Sequence, residues 1–271
     1  MLAEKNSVRV GVVQMVSGPI VADNLLQAAK WIIQAAVAGA QIIALPEYFA
    51  IMGLKDTDKV GVRETYGSGP IQDFLRDIGA RLNVWLVAGS IPLACENENK
   101  VRNSCLLISG AGETVARYDK IHLFEFANGN EEYSEARTIE AGNQVVVLDS
   151  PFGKLGLSIC YDLRFPELYR AMPGVDLIFV PSAFTETTGR AHWETLLRSR
   201  AIENQCYVVA PAQGGKHPSG RETHGDSMLV DAWGTVVKRI DKGPGVFVAE
   251  IDLQSIKSVR ERLPALTHRI I

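Results

Sequence analysis

Short apolar runs typical of buried strands alternate along this chain with segments whose apolar residues follow a helical spacing. Residues 8–14 and 41–47 are strand-like, whereas residues 24–40 and 71–82 show the helical spacing. Strands that alternate with helices pack as layers of an α/β sandwich. Because many runs are apolar on both faces, we expect helices to cover both sides of the sheet structure. The sequence thus predicts an α/β fold and leaves open whether it has one sheet or two.

The alternation continues to the end of the chain, with a hairpin predicted about Gly110 and antiparallel strands at the close. The further predicted elements are strands at 84–90, 103–109, 112–120, 145–150, 154–160, 177–184, 206–213, 227–240 and 245–252, and helices at 165–172 and 191–205.

Composition narrows the class of protein. The 271 residues are 46% hydrophobic and 22% charged, which is ordinary for a globular chain, and no linker or charge run divides them. We therefore predict a single domain over residues 1–271. The net charge of −3 and the scattered Lys and Arg residues argue against a nucleic-acid partner.

The sequence also carries no sign of a membrane or secretory role. The N-terminus has no long apolar segment of the kind found in signal peptides, and no apolar run approaches the roughly 18 residues that span a membrane. The four cysteines lie far apart without a C-x-x-C pair, which fits a reducing compartment better than a disulfide framework or a zinc site. We expect a soluble, cytoplasmic protein without a membrane partner.

Three chemically useful side chains stand where strand-like runs end. Cys160 ends the run KLGLSIC, Glu47 ends QIIALPE, and Lys120 follows a short β-like stretch. Ligands bind at such sheet edges in α/β proteins, so the thiol, carboxylate and ammonium form a candidate catalytic trio. Each also has an ordinary interpretation: a core cysteine, an exposed glutamate and a surface lysine. Cys105 and Cys206, inside apolar runs, suit the core role, and Cys95 suits a surface loop.

The three residues follow the order Glu47, Lys120, Cys160, and the chain also contains the stretches CYDLRFPELYR, GRAHWETLLRSRAIENQCYVVAPAQ and HGDSMLVDAWG. On this order and these stretches, the chain resembles the nitrilase, or carbon–nitrogen hydrolase, superfamily from end to end. The resemblance is greatest to its branch of small amidases that act on deaminated glutathione. It implies a four-layer α-β-β-α sandwich with two central mixed sheets. It also implies a homodimer or larger homo-oligomer, and no metal or organic cofactor.

The resemblance further implies roles for single residues. Cys160 would be the nucleophile, Glu47 the general base, and Lys120 with the backbone N–H of Tyr161 the oxyanion donors. A second glutamate belongs to the site; the candidates are Glu131, Glu132 and Glu135, and the pattern SEARTIEAG with its Gly142 favours Glu135. None of the five histidines lies in a papain-type motif, and we expect His122 to support the neighbouring Lys120.

Arg164, four residues after the nucleophile, has two interpretations of equal weight. It could grip a substrate carboxylate with its planar guanidinium, or it could form a structural ion pair with Asp162 or Glu167. Residues Trp193, Leu196 and Leu197 of the 191–205 helix could likewise pair across a dimer axis or face the protomer's own sheet, and the sequence alone favours the second.

The predicted function is an amidase that hydrolyses a small carboxylate-bearing amide, of the deaminated-glutathione kind, to acid and ammonia through a Cys160 thioester. In the resemblance, Tyr161-Asp162 stands where nitrile-cleaving relatives carry Trp-Glu, which favours amides. The alternatives are an ω-amidase acting on 2-oxoglutaramate-like acids, an N-carbamoyl hydrolase, a nitrilase, or a catalytically silent scaffold.

Overall fold

The computed structural model describes residues 7–129 and 132–270. Its strands in chain order are β1 (Ser7–Gln14), β2 (Ile42–Ala44), β3 (Trp85–Val87), β4 (Ile91–Ala94), β5 (Val101–Ile108), β6 (Thr114–Asp119), β7 (Glu125–Ala127), β8 (Glu132–Ser134), β9 (Val146–Ser150), β10 (Gly153–Leu157), β11 (Leu177–Phe179), β12 (Tyr207–Ala210), β13 (Ser227–Val230), β14 (Val236–Ile240) and β15 (Gly245–Asp252). Its α-helices are α1 (Val21–Val37), α2 (Asp58–Gly61), α3 (Pro70–Leu82), α4 (Pro166–Arg170), α5 (Glu186–Asn204) and α6 (Leu253–Arg262).

Two mixed sheets form the centre of the fold. The first runs in the order β15-β1-β2-β3-β5-β4, with β6 also paired to β5, and the second in the order β14-β13-β12-β11-β10-β9. Strands β1, β2 and β3 are parallel, as are β10, β11 and β12. The remaining pairs of both sheets are antiparallel, and β7 and β8 form a separate hairpin.

Helices cover the outer faces of the two sheets. Helices α1 and α3 lie on the first sheet, where Ile32 and Leu75 pack with Ile43 and Leu86 of the strands. Helix α5 lies on the second sheet against β12 and β13. Gly11 of β1 lets α1 approach closely, because an added Cβ would lie 3.0 Å from the Cβ of Ala35. This arrangement is the predicted α-β-β-α sandwich, so the fold prediction is confirmed.

The inner faces of the sheets meet in the main hydrophobic core. Val10 and Val12 of the first sheet belong to the same buried cluster as Leu155, Phe179 and Val209 of the second. Cys105 and Cys206 are also fully buried there, as predicted, and burial raises the pKa of both thiols. Among the described residues, no helix is both long enough and apolar enough to cross a membrane.

Several details differ from the sequence-based expectations. Strand β15 is antiparallel as expected, but it pairs with β1 of the first sheet and not with its chain neighbour β14. Helix α5 begins at Glu186 and not at Ala191, because the side chain of Thr185 accepts a hydrogen bond from the Thr188 N–H and caps the helix start. Strand β10 ends at Leu157, three residues before Cys160.

Trp193 and Leu197 of α5 face the protomer's own core. Both are fully buried, and Trp193 Nε1 donates a hydrogen bond of 2.8 Å to the Asp226 carbonyl. Leu196 is only partly buried. Trp193 and Leu197 therefore cannot pair across a dimer axis, and the interpretation that the sequence alone favoured is the right one.

Candidate active site

Cys160 lies in a tight turn beyond the carboxyl ends of two parallel strands. Its backbone has φ of +49°, a left-handed conformation that strains a residue with a side chain by roughly 1–3 kcal/mol. The Cys160 N–H donates to the Pro181 carbonyl at 2.9 Å, which ties the turn to the segment after β11. Cys160 as a whole is 7% exposed. The chain thus leaves β10, turns sharply at Cys160 and enters the 3-10 turn Cys160–Arg164.

A single buried carboxylate holds this turn in place. Asp162 accepts hydrogen bonds from the Ile159 N–H at 2.8 Å and from the Tyr118 hydroxyl at 2.7 Å. It also bonds to the backbone N–H of His122 at 3.0 Å and to its Nδ1 at 2.7 Å. Tyr118 and His122 stand on either side of Lys120 in the sequence. Asp162 therefore fixes the nucleophile turn relative to the lysine.

Lys120 links two carboxylates in the floor of the site. Its side chain is fully buried, and Nζ donates to Glu47 Oε1 at 2.8 Å and to Glu135 at 2.8 Å. Asn103 Nδ2 donates to the same Glu47 oxygen at 2.9 Å. The Cys160 thiol and the Glu47 carboxylate line the same pocket and influence each other's pKa. The structure thus brings Cys160, Glu47, Lys120 and Glu135 together from four separate parts of the chain.

Glu135 is the second glutamate that contacts the lysine. It begins the 3-10 turn Glu135–Arg137, where it also accepts from the Tyr48 hydroxyl at 2.7 Å and from the Phe124 N–H at 2.7 Å. Glu132 is exposed and bonds to Arg137, and Glu131 lies outside the described residues.

Burial and mutual charge set the protonation states of the four groups. Burial raises the pKa of Glu47, and the Lys120 ammonium only partly offsets it. Burial also raises the pKa of the Cys160 thiol well above its usual value, and the Glu47 carboxylate adds to that shift. The thiol therefore keeps its proton at neutral pH, and a base has to remove it before it can attack.

The other two groups stay charged. Burial disfavours the Lys120 ammonium, but the charges of Glu135 and Glu47 outweigh burial and raise its pKa above the usual value. Burial disfavours the Glu135 carboxylate as well, yet Lys120 and the hydrogen bonds from Phe124 and Tyr48 lower its pKa. A permanent positive charge thus lies beside a base and a protonated thiol.

A narrow pocket with about 10 Å³ of free space, room for about one water molecule, opens over the thiol. Two guanidinium groups, those of Arg164 and Arg221, line it. The remaining residues of its wall are Glu47, Phe124, Glu135, Cys160, Tyr161, Ala183, Phe184, Thr185 and Thr188. The Tyr161 ring packs edge-on against Phe124 at 5.2 Å, so it forms part of that wall.

Arg164 forms neither of the ion pairs considered from the sequence. Its Nη1 lies 3.2 Å from His192 Nδ1, and its guanidinium lies 5.3 Å above the Phe184 ring. Asp162 is instead occupied by Tyr118, His122 and Ile159, so the structural ion-pair interpretation with Asp162 is wrong. The guanidinium faces the pocket with its charge unneutralised by a neighbouring carboxylate among the described residues.

The sequence analysis missed Arg221, Tyr48 and Asn103. Arg221 lies between β12 and β13 in the loop GGKHPSGRETHG, and its Nη2 donates to the Ala183 carbonyl at 2.9 Å. A Gly-rich polar loop between two buried strands is a signal that could have found it. The placement of Asn103 on β5 depends on strand pairing, which the sequence pattern does not specify.

His122 bonds to Asp162 and stacks on Phe165, so it supports the Lys120 segment as expected.

Comparison with known proteins is consistent with this geometry. The family model described as "Carbon-nitrogen hydrolase" matches residues 9–261. A deaminated glutathione amidase of Synechocystis sp. is 43% identical over 95% of this chain and 96% of its own, and the Homo sapiens protein of the same name is 38% identical over 96% and 81%. The crystal structure of the C. elegans NitFhit protein superposes with a TM-score of 0.89 at 38% identity, over 98% of this chain and 65% of that longer chain.

Proposed function

The chain belongs to the carbon–nitrogen hydrolase family and hydrolyses carbon–nitrogen bonds, and from that membership we propose that it cleaves a small carboxylate-bearing amide through a thioester on Cys160. The observation that carries this proposal is the buried chain of contacts from the Cys160 thiol through Glu47 and Lys120 to Glu135 beneath a pocket with two arginines.

The first half of the reaction forms the thioester. Glu47, which lines the same pocket as the thiol, takes its proton as Sγ attacks the amide carbon. The Lys120 ammonium, together with the backbone N–H of Tyr161, stabilises the oxyanion of the tetrahedral intermediate. Glu47 then gives its proton to the leaving nitrogen, the carbon–nitrogen bond breaks, and the acyl group stays on Cys160 as a thioester.

The second half releases the acid. Glu47, again a carboxylate, takes a proton from water, and the hydroxide attacks the thioester carbon. The new oxyanion lies at the same Lys120 charge, and collapse of the intermediate returns the proton to the Cys160 sulfur. Glu135, itself held by the Tyr48 hydroxyl, keeps Lys120 in position throughout. The other hydrogen bond of Lys120 goes to Glu47, the carboxylate that gains and loses protons.

The pocket's charge points to an acidic substrate. Glu47, Glu135 and Lys120 together carry one negative charge, whereas Arg164 and Arg221 add two positive charges at the pocket wall. A guanidinium binds a carboxylate with two parallel hydrogen bonds. We propose that Arg164 binds a substrate carboxylate, and that the substrate resembles deaminated glutathione, after which the similar proteins are named.

The leaving group distinguishes the two leading substrates. Deaminated glutathione is a 2-oxoglutaryl group joined through an amide to cysteinylglycine, and it contains no primary amide. Its hydrolysis therefore releases an amine, whereas 2-oxoglutaramate carries the same acyl group and releases ammonia. An ω-amidase acting on 2-oxoglutaramate remains the second candidate, because the acyl half of the site would be the same.

The test is turnover measured as release of 2-oxoglutarate, which both substrates yield. The wild-type enzyme should hydrolyse deaminated glutathione, and Cys160→Ala should show none while keeping its folded circular-dichroism spectrum. Arg164→Lys should reduce the preference for an acid over its neutral isostere of equal size. If the wild-type protein turned over neither substrate nor any amide, N-carbamoyl compound or nitrile of a wider panel, the scaffold alternative would stand.

The oligomeric state is a separate proposal. Three exposed apolar side chains, Ile202, Trp233 and Leu263, lie on α5, the β13–β14 turn and the end of α6. Trp233 is 60% exposed. An added Cβ at its neighbour Gly234 would touch Ile202, and the Arg262 guanidinium at the end of α6 lies 5.9 Å from the Trp233 ring, so these elements are adjacent. We propose a homodimer or larger homo-oligomer, which light scattering at micromolar concentration would refute by showing only a monomer.

A further inference from the structure

A second cavity, of about 560 Å³, adjoins the pocket over Cys160. Arg221 lines both spaces, and the wall of the outer cavity also includes Tyr48, Lys59 and Tyr133. The inner pocket has only about 10 Å³ of free space, far below the roughly 300–1,000 Å³ of sites that enclose a drug-sized ligand, whereas the outer cavity falls within that range. A substrate larger than a simple acyl group therefore extends into the outer cavity.

Lys59, on the short helix α2, places a poorly compensated ammonium in this cavity. Its side chain is 14% exposed, and its carboxylate neighbour Asp56 stands 3.9 Å away and is itself 67% exposed. Nζ donates to Thr138 Oγ1 at 3.2 Å and lies 5.6 Å from the Tyr48 ring centre. Burial lowers the pKa of Lys59; the carboxylates of Asp56 and Glu135 oppose that shift, and the charges of Arg221 and Lys120 add to it. A bound anion would stabilise this ammonium.

Arg221 has unused hydrogen-bonding capacity at the boundary between the two spaces. Its Nη2 donates to the Ala183 carbonyl, and its guanidinium lies 5.0 Å from the Tyr133 ring centre. Its Nε is buried without a hydrogen-bond partner among the described residues. A buried donor left unpaired is costly, so a ligand that accepts from it gains that free energy.

Of the acidic residues that the structure places in the cavity wall, Asp56 approaches Lys59, and because Asp56 is largely exposed it offsets that charge only in part. The other two pair elsewhere. Glu132 bonds to Arg137, and Glu222 lies 3.7 Å from Lys242. Both carboxylates are thus directed to cations other than Lys59 and Arg221.

The direction of the substrate follows from the position of Glu47. The leaving nitrogen has to lie beside the group that protonates it, which is Glu47 in the proposed mechanism. The next residue, Tyr48, forms the wall of the outer cavity, whereas Arg164 belongs to the turn of the nucleophile itself. The acyl group then extends toward Arg164, and the leaving amine extends past Tyr48 into the outer cavity.

We propose that the outer cavity binds a carboxylate on the leaving-amine side of the substrate, with Lys59 and Arg221 as the residues that determine this specificity. The inference rests on the proposed function and deepens it. The substrate then has an acid group on each side of the scissile amide. The enzyme would distinguish deaminated glutathione from 2-oxoglutaramate by the leaving group alone, because both carry the same acyl group.

The experiment compares three substrates that share the 2-oxoglutaryl group. The substrates are deaminated glutathione, the same compound with its glycine carboxylate converted to an amide, and 2-oxoglutaramate. Release of 2-oxoglutarate is the readout for all three. Lys59→Met should lower kcat/KM for deaminated glutathione by about tenfold or more, the effect of losing one hydrogen bond to a charged group. For the amidated compound and for 2-oxoglutaramate, the change should stay within about twofold.

Two further variants make the comparison specific. Arg221→Lys keeps the charge but loses the planar fork, and it should lower kcat/KM for deaminated glutathione more than for the amidated compound. Lys154→Met deletes a charge from a partly exposed lysine on β10 outside both cavities, and it should change none of the three rates. Turnover of 2-oxoglutaramate by Lys59→Met and Lys154→Met, and the circular-dichroism spectrum of Arg221→Lys, show that each variant has folded.

The outcomes separate this inference from the proposed function. If Lys59→Met slowed all three substrates equally, Lys59 would act on the triad or the fold, and the inference would be wrong. An unchanged rate for deaminated glutathione would also overturn it, although the proposed function would stand. If wild-type enzyme hydrolysed none of the three, the proposed function would fail and this inference with it.

Discussion

The hydrogen bond from Tyr118 to Asp162 should couple the stability of the fold to the rate of the reaction. Asp162 is fully buried and is satisfied by donors from Tyr118, Ile159 and His122. Tyr118→Phe removes one donor at 2.7 Å and leaves the carboxylate otherwise in place. Because a hydrogen bond to a charged group contributes ~1.5–3 kcal/mol, we expect the free energy of unfolding to fall by about that amount.

The rate should fall as well, because Asp162 holds the Cys160 turn against the segment that carries Lys120. A shift of about 1 Å between reacting groups can cost roughly a hundredfold in rate, so we expect kcat to drop between about tenfold and a hundredfold with little change in KM. Urea unfolding measures the stability change, provided the slope stays constant. Steady-state kinetics and the rate of Cys160 alkylation measure the second effect.

Tyr207→Phe is the matched control. It removes the same hydroxyl from a tyrosine that hydrogen-bonds at 3.0 Å to the neutral Ser255. Tyr207 stands at the amino end of β12, whereas the thiol lies beyond the carboxyl ends of the neighbouring parallel strands. It should cost only ~0.5–1.5 kcal/mol and leave kcat unchanged. If Tyr118→Phe were no more destabilising than this control, the Asp162 argument would be refuted. A loss of stability with normal kcat would restrict Asp162 to a structural role.

Three further predictions test the site. Glu47→Gln and Lys120→Met should each lower kcat about a hundredfold or more, and near-normal kcat would remove that residue from the mechanism. Cys105→Ala should lower the unfolding midpoint and largely spare kcat, since the core thiol contacts no substrate; loss of activity in the folded variant would contradict this. Burial raises the pKa of Glu47 above the ordinary carboxyl value of 4.5, so kcat/KM should fall as the pH drops through that raised pKa and the carboxylate takes up a proton. A pH profile of kcat/KM that stays flat down to pH 4.5 would exclude Glu47 as the base.

Much of the fold could be predicted because each strand and helix has a local signature. The apolar runs and the helical spacing located most elements of both sheets, with boundaries shifted by a few residues. Strand order was beyond this reasoning, because pairing joins residues far apart in the chain. Thus Ser7 of β1 pairs with Asp252 of β15, and the pattern of β15 is equally compatible with pairing to β14.

The site could be predicted only in part, for a similar reason. Strand ends identified Cys160 and Glu47 as candidates, and the family resemblance assigned their roles and that of Lys120. Lys120 illustrates why composition alone fails: in the sequence it resembles a surface lysine, yet the structure buries it fully between two carboxylates. A lysine can be buried in this way only because Glu47 and Glu135 reach it from segments 73 and 15 residues away.

The same logic explains why substrate recognition was the least predictable part. Arg164 could be weighed against an ion pair with Asp162, but the sequence could not show that Tyr118, His122 and Ile159 already satisfy that carboxylate. Once Asp162 is occupied, the Arg164 guanidinium is left facing the pocket. Under the proposed function, the buried carboxylate that positions the Cys160 turn would also leave Arg164 available for the substrate acid, so positioning and recognition would depend on the same hydrogen-bond network.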